Sequence, residues 1–189
     1  MNEELRSLTE RLRSEAGASS TYERLVTAED PDVLAAALTA PGQPLWAREL
    51  VAFRLGLAGD RRAFEALVLL LNHRDPQRCA SAAYALARLG DPRTARAAAA
   101  LATNELRVAY ALHPVRLLVE LRAPEAVPAL ITTLGRRLRP HDPYRGVALA
   151  CVEGLGTLGD ARARPVLNEA LAHPALAEAA VRALARLPG

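Results

Sequence analysis

The stretch "ALARLGD" at residues 85–91 sets an Ala/Leu run against an abrupt Gly-Asp, and variants of it recur along the chain. "RLGLAGD" ends at Asp60, "LVELRA" at Ala123, "GLGTLGD" at Asp160 and "ALARLPG" at residue 189. With Gly59, Gly90, Arg122, Gly159 and Pro188 as origins, the spacings are 31, 32, 37 and 29 residues. Four residues before each origin stands a leucine: Leu55, Leu86, Leu118, Leu155 and Leu184. One residue before stand Ala58, Leu89, Leu121, Leu158 and Leu187, and seven before stand Ala52, Ala83, Val115, Val152 and Val181. These offsets share one face of an α-helix, so each copy carries an amphipathic helix with its apolar stripe in register. An internal period of this length marks a repeat array.

The Gly-Asp pair has a local physical reading. Glycine just past a last helical turn closes it in left-handed backbone without a Cβ clash. The following Asp60, Asp91 or Asp160 is an N-cap residue whose carboxylate accepts from the amides of the next helix. Pro92 and Pro124 then fit a first helical position, where a missing N–H costs little. One dipeptide therefore ends helix A and starts helix B. The B helices are expected over 61–72, 92–103, 124–135 and 161–172, with Leu67, Ala98, Leu130 and Leu167 in one inward column. Pro128 and Pro165 form a second column and are expected to bend their helices, and Pro114 to kink the third A helix. Residues 28–41, with Asp30-Pro31 at their start, read as the B helix of a leading repeat. A charged helix over about residues 2–16 reads as a cap. The expected organisation is a cap at 1–18 and one repeat array at 19–189.

Composition agrees. Hydrophobic residues make up 51% and aromatics 4%, so the core is built from the helix formers Ala and Leu, with Val. All 24 basic residues are arginine, as a high-GC coding sequence produces. Residues 1–32 carry four Arg against eight acids, a balance of −4, and residues 33–189 a balance of +7. The charged N-terminus has no secretory h-region, and runs such as "ALVLLL" (66–71) fall short of the roughly 20 residues that span a bilayer. Cys79 and Cys151 read as buried free thiols of a cytoplasmic protein.

"AAYALARLGDPRTARAAAAL" (82–101), "EGLGTLGDARARPVLNEAL" (153–171) and "VELRAPEAVPALITTL" (119–134) resemble the HEAT-like repeats of the phycobilisome-lyase (PBS lyase) type. The resemblance covers about residues 28–189 and implies an all-α fold, a right-handed α-solenoid of about five helix pairs. The departures are the lost Gly-Asp at Arg122-Ala123, the longer turn at 136–143 and Pro114. The last copy stops in an A helix, and self-association through that open end is expected.

Catalytic signals are thin. His73, His141 and His173 fall in turns and no histidine adjoins a glutamate, so the His-Glu iron ligands of HEAT-like deoxyhypusine hydroxylases have no counterpart. The turn histidines read as caps for helix ends. "GLGTLG" (154–159) follows no strand, and no G-x-S-x-G or phosphate loop is present. The expectation is a non-enzymatic protein-binding scaffold without metal or cofactor. In HEAT solenoids the B helices line the concave face, which places Arg61, Arg62, Arg93, Arg96 and Arg162 on a partner-binding surface, with Arg164 nearby. Arg136, Arg137, Arg139 and Arg145 form a second cluster in the long turn. An acidic segment of a partner protein suits such a surface. The alternative is a nucleic-acid binder related to the HEAT-like alkylpurine DNA glycosylases, for which Trp46 is badly placed and stacking aromatics are scarce.

Overall fold

Four of the five expected helix stops take left-handed backbone in the computed structural model, which describes residues 3–188. Gly59, Gly90, Arg122 and Gly159 hold φ of +74°, +66°, +50° and +67°. Behind them the freed amides turn back to close the helix, Asp60 N to Leu55 O at 2.9 Å and Gly159 N to Leu155 O at 3.1 Å. Pro188 cannot follow, because its ring holds φ near −65°.

Among the described residues there are twelve α-helices and no strand. They are α1 (Glu3–Ala16), α2 (Ser20–Thr27), α3 (Pro31–Thr39), α4 (Leu45–Leu57), α5 (Phe64–Leu71), α6 (Pro76–Leu89), α7 (Thr94–Ala102), α8 (Leu112–Leu121), α9 (Ala126–Arg137), α10 (Arg145–Leu158), α11 (Arg164–Ala170) and α12 (Pro174–Leu184). In register, α2–α3, α4–α5, α6–α7, α8–α9 and α10–α11 are A–B pairs, and α12 is a further A helix. Neighbouring helices pack on one another, the arrangement of a HEAT-like helical solenoid. The N-cap chemistry is as expected: Asp30, Asp60, Asp75, Asp91 and Asp160 each accept from the amide two residues on, at 2.8–3.0 Å.

The chain forms two compact units, Met1–Thr94 and Ala95–Gly189. In the first, α4 is central and contacts α1, α2, α3, α5 and α6. In the second, α10 contacts α8, α9 and α12. Leu55, Leu86, Leu118 and Leu155 are buried, as are Leu67, Ala98, Leu130 and Leu167 of the B column. Full burial of one such leucine contributes about 1.5–3 kcal/mol. Close approach also shapes α10, where an added Cβ at Gly156 would lie 2.7 Å from the Ala183 backbone. Cys79 and Cys151 are buried free thiols. Burial pushes the Cys151 thiol up to about 12.

Several expectations are corrected. Ala58 and Val181 are exposed: Ala58 is the C-cap past the end of α4, and Val181 lies off the face of α12 that buries Ala179, Ala180 and Ala183. Pro92 and Pro124 occupy tight turns before α7 and α9 instead of their first helical residues. Pro128 and Pro165 stand on exposed first-turn positions, where a missing N–H costs little. Pro114 likewise lies in the first turn of α8. The third A segment breaks before it, in a 3-10 stretch over Glu105–Tyr110 with Arg107 out of helical geometry at φ −127°.

The N-terminal helix is more than a polar cover. Arg11 and Glu15 of α1 face Glu49 of α4 and Arg78 of α6. Glu49 is 1% exposed and accepts from both Arg11 and Arg78. Glu15 bridges the same two guanidiniums, at 3.1 Å to Arg11 and 2.5 Å to Arg78. Asp75 adds a contact to Arg78 at 3.5 Å. A carboxylate this deep is tolerated only because two cations meet it. Burial disfavours the Arg11 charge, yet Glu49 and Glu15 outweigh that and raise its pKa.

Candidate interaction surface

The arginines at the B-helix starts are held by their own repeats. Arg62 forks onto its N-cap Asp60, Nε to Oδ1 at 3.0 Å and Nη2 to Oδ2 at 2.6 Å. Arg93 does the same to Asp91, at 3.0 and 2.9 Å, and Arg162 to Asp160, at 3.0 and 2.7 Å. Two of them also reach the preceding B helix: Arg62 meets Asp32 at 2.8 Å, and Arg93 meets Glu65 at 3.1 Å. The Arg93 guanidinium lies 3.9 Å over the Phe64 ring as well. The result is a ladder in which the arginine two residues past each of these caps clasps that cap, and Arg62 and Arg93 also hold the acid one B helix back.

The electrostatics follow from that fork. Hydrogen bonds from the Arg162 side chain, then its backbone amide, hold the Asp160 carboxyl down to about 2. Arg62 and Arg93 lower Asp60 and Asp91 in the same way. The three guanidiniums stay exposed although the Asp91 carboxylate is buried, so solvent screens each pair. The ladder orients side chains more than it stabilises the fold.

The remaining predicted residues separate by role. Arg61 reaches the carbonyl of Gly90 at 3.5 Å, and Arg164 that of Pro188 at 2.5 Å, each satisfying the stop of the following A helix. Arg136 donates to Thr103 O at 2.8 Å and to Glu105 at 3.3 Å. Arg137 is buried between Glu105 (2.8 Å) and Asp142 (3.2 Å), which removes it from the surface. Arg96, Arg139 and Arg145 are exposed and their guanidiniums have no hydrogen-bond or ion-pair partner among the described residues. Of the histidines, His73 accepts the Asp75 amide on Nδ1 at 3.0 Å. His113 is in α8, where burial lowers its pKa and Arg116 adds to the effect. Trp46 lies in the first turn of α4, its ring 6.0 Å from that of Tyr22. Among the described residues no three His, Cys, Asp or Glu side chains gather as a metal site would need.

The feature that arginine spacing did not disclose is apolar. In the first unit a groove of about 430 Å³ runs between α3, the start of α4 and α5. Its floor is Leu38, Leu70 and Ala66, with Leu45 and Leu69 on its walls. Leu69 is 74% exposed and Leu45 42%, while Val68 beside them is half-buried. Arg48, Arg62 and Glu65 form the rim. Arg48 is exposed and has no charged partner among the described residues. The run "FEALVLLL" held the signal, since one face of a helix this short cannot bury all five of its Leu and Val residues.

A-B helix pairs with left-handed stops and aspartate caps give the chain the arrangement of a HEAT-like helical solenoid. Residues 147–173, which span α10, the joint at Asp160 and α11, match the family model of the PBS lyase HEAT-like repeat. No curated protein matches the chain. No helix among the described residues is long and apolar enough to cross a membrane.

Proposed function

We propose that the protein is a non-enzymatic scaffold whose first unit captures a short amphipathic segment of a partner protein in the groove between α3 and α5. HEAT-like repeats commonly mediate protein interactions, and that class supports the general reading. The observation that carries the specific one is Leu69, an exposed leucine at the wall of an apolar groove on successive B helices. A leucine held in water on a rigid helix is an anchor without its counterpart. Arg48 and Arg62 on the rim suit an acidic residue flanking the partner's apolar one. Arg62 gives up Asp32 for a partner carboxylate at little cost, because both groups are solvated. The arginine surface foreseen for an acidic partner therefore contracts to a rim around an apolar site. Duplex binding is less well supported, since Arg62, Arg93 and Arg162 already face carboxylates and offer few counterion-releasing charges.

The test is capture from a native extract with the full chain and two variants. Leu69→Asp places a charge at the groove, while Leu106→Asp changes a leucine that is 92% exposed in the second unit. Proteins retained by the wild type and by Leu106→Asp are expected to be lost with Leu69→Asp. A hot-spot leucine is worth about 2 kcal/mol or some thirtyfold in affinity. Identical retention by Leu69→Asp removes the groove from consideration.

A further inference from the structure

The second unit contains a separate cavity of about 270 Å³, bounded by the turn at 138–144, the first turns of α10 and the start of α12. We propose that it is an oxyanion site for a phosphate monoester. Arg137, Arg139, His141, Arg145 and His173 line it, against one acid, Asp142. That acid is already committed, accepting from Arg137 at 3.2 Å and from the Tyr144 amide at 2.9 Å. The guanidiniums of Arg139 and Arg145 and both imidazoles have no hydrogen-bond partner among the described residues.

Arg137 supplies the independent observation. Its side chain is only 6% exposed, and Glu105 and Asp142 hold its two terminal nitrogens. Its Nε is buried without any acceptor. A buried, unmatched donor on a charged group is costly, and this one belongs to a side chain that lines the cavity. The helices add to the field. The N-caps of α10 and α12, Tyr144 and His173, make no side-chain cap bond, although Asp142 accepts the Tyr144 amide beside the α10 start, so the clearer dipole contribution comes from α12.

The donors favour phosphate over carboxylate. A phosphate monoester offers three terminal oxygens and about −1.5 to −2 charge at pH 7 to Arg139, Arg145 and the two imidazoles, against two oxygens and a single charge for a carboxylate. Alanine, proline and leucine side chains of α10 and α12 complete the lining and suit the organic group that carries the phosphate. The turn that delivers Arg139 and His141 is the longer one at which this repeat departs from its neighbours.

Inorganic phosphate is the probe, titrated into the full chain at constant ionic strength while the imidazole NMR signals of the four histidines are followed. His141 and His173 are expected to move along one saturating curve, with His73 and His113 unmoved. Arg139→Ala/Arg145→Ala is expected to weaken that binding at least tenfold without lowering the phosphate-free melting temperature, as neither guanidinium has a structural partner. Phenyl phosphate is expected to bind more tightly than phosphate through the apolar lining. Equal movement of all four histidines, an unchanged titration in the double variant, or an acetate response as large as that of phosphate each overturns the assignment.

Discussion

Replacing Glu49 by Gln keeps the side chain's volume and an acceptor oxygen but removes the charge that Arg11 and Arg78 share. Arg78 has 9% of its side chain exposed, so it cannot recover its hydration where it stands. Removing one member of a buried ion pair costs about 3–5 kcal/mol. Glu15 and Asp75 remain to face Arg78, and each keeps about a third of its own solvent exposure, so the expected loss is at the low end, about 3 kcal/mol. For a chain of this length that lowers the melting temperature by about 6–12 °C, and by roughly twice as much if the first unit unfolds alone. Urea unfolding of Glu49→Gln, Arg78→Met and the double variant gives the coupling directly. Glu49→Gln/Arg78→Met should be less destabilised than the sum of the singles by at least about 1 kcal/mol, because the second change removes the stranded cation. Hydrogen exchange should show α1 opening first in Glu49→Gln, since α1 is tethered to α4 and α6 through these charges. A loss below about 1 kcal/mol, or strict additivity, would falsify the view that Glu49 organises the docking of α1.

Arg122→Gly should raise stability by about 1–2 kcal/mol, because a non-glycine residue at φ +50° carries that cost; thermal melting is the check. Gly156→Ala should destabilise by about 1–3 kcal/mol through the clash with Ala183, whereas Gly135→Ala, which meets nothing within 4 Å on α9, should stabilise by about 0.5–1 kcal/mol. Asp160, Asp60 and Asp91 have carboxyls lowered below their unfolded value of about 3.9, so their contribution is complete above that pH and lost as pH falls through the folded values. Acid titration should therefore show a loss of stability between about pH 4 and pH 2 that shrinks in Asp160→Asn.

The repeat register made the architecture readable, because buried leucines four residues before a stop and an aspartate after it are local, periodic signals. The left-handed state of Arg122 was readable too, by position in the register and against its residue type. The network at Glu49 was not, since it joins residues 11, 15, 49 and 78 from three helices and no periodicity links them. What the arginine spacing did not disclose is that Arg62, Arg93 and Arg162 are already paired within their own repeats. Asp60/Arg62, Asp91/Arg93 and Asp160/Arg162 repeat an i, i+2 spacing, and a pair that recurs at three of the five joints serves the joint. The groove at Leu69 and the cavity at Arg139 arise where copies differ, at an over-apolar helix and an over-long turn.

The clasped joint has a genetic consequence. Gly90 is followed by Asp91 and Gly59 by Asp60, so a tandem duplication of residues 60–90 would place Gly90 against a second Asp60 and end on an unaltered Gly90-Asp91. Both seams would be stop-and-cap junctions of the kind already present, with an arginine two residues on and an acid one helix back to receive it. Chains of this design can therefore change length by whole modules without inventing a new linker, and the place to cut and splice them is between the glycine and the aspartate.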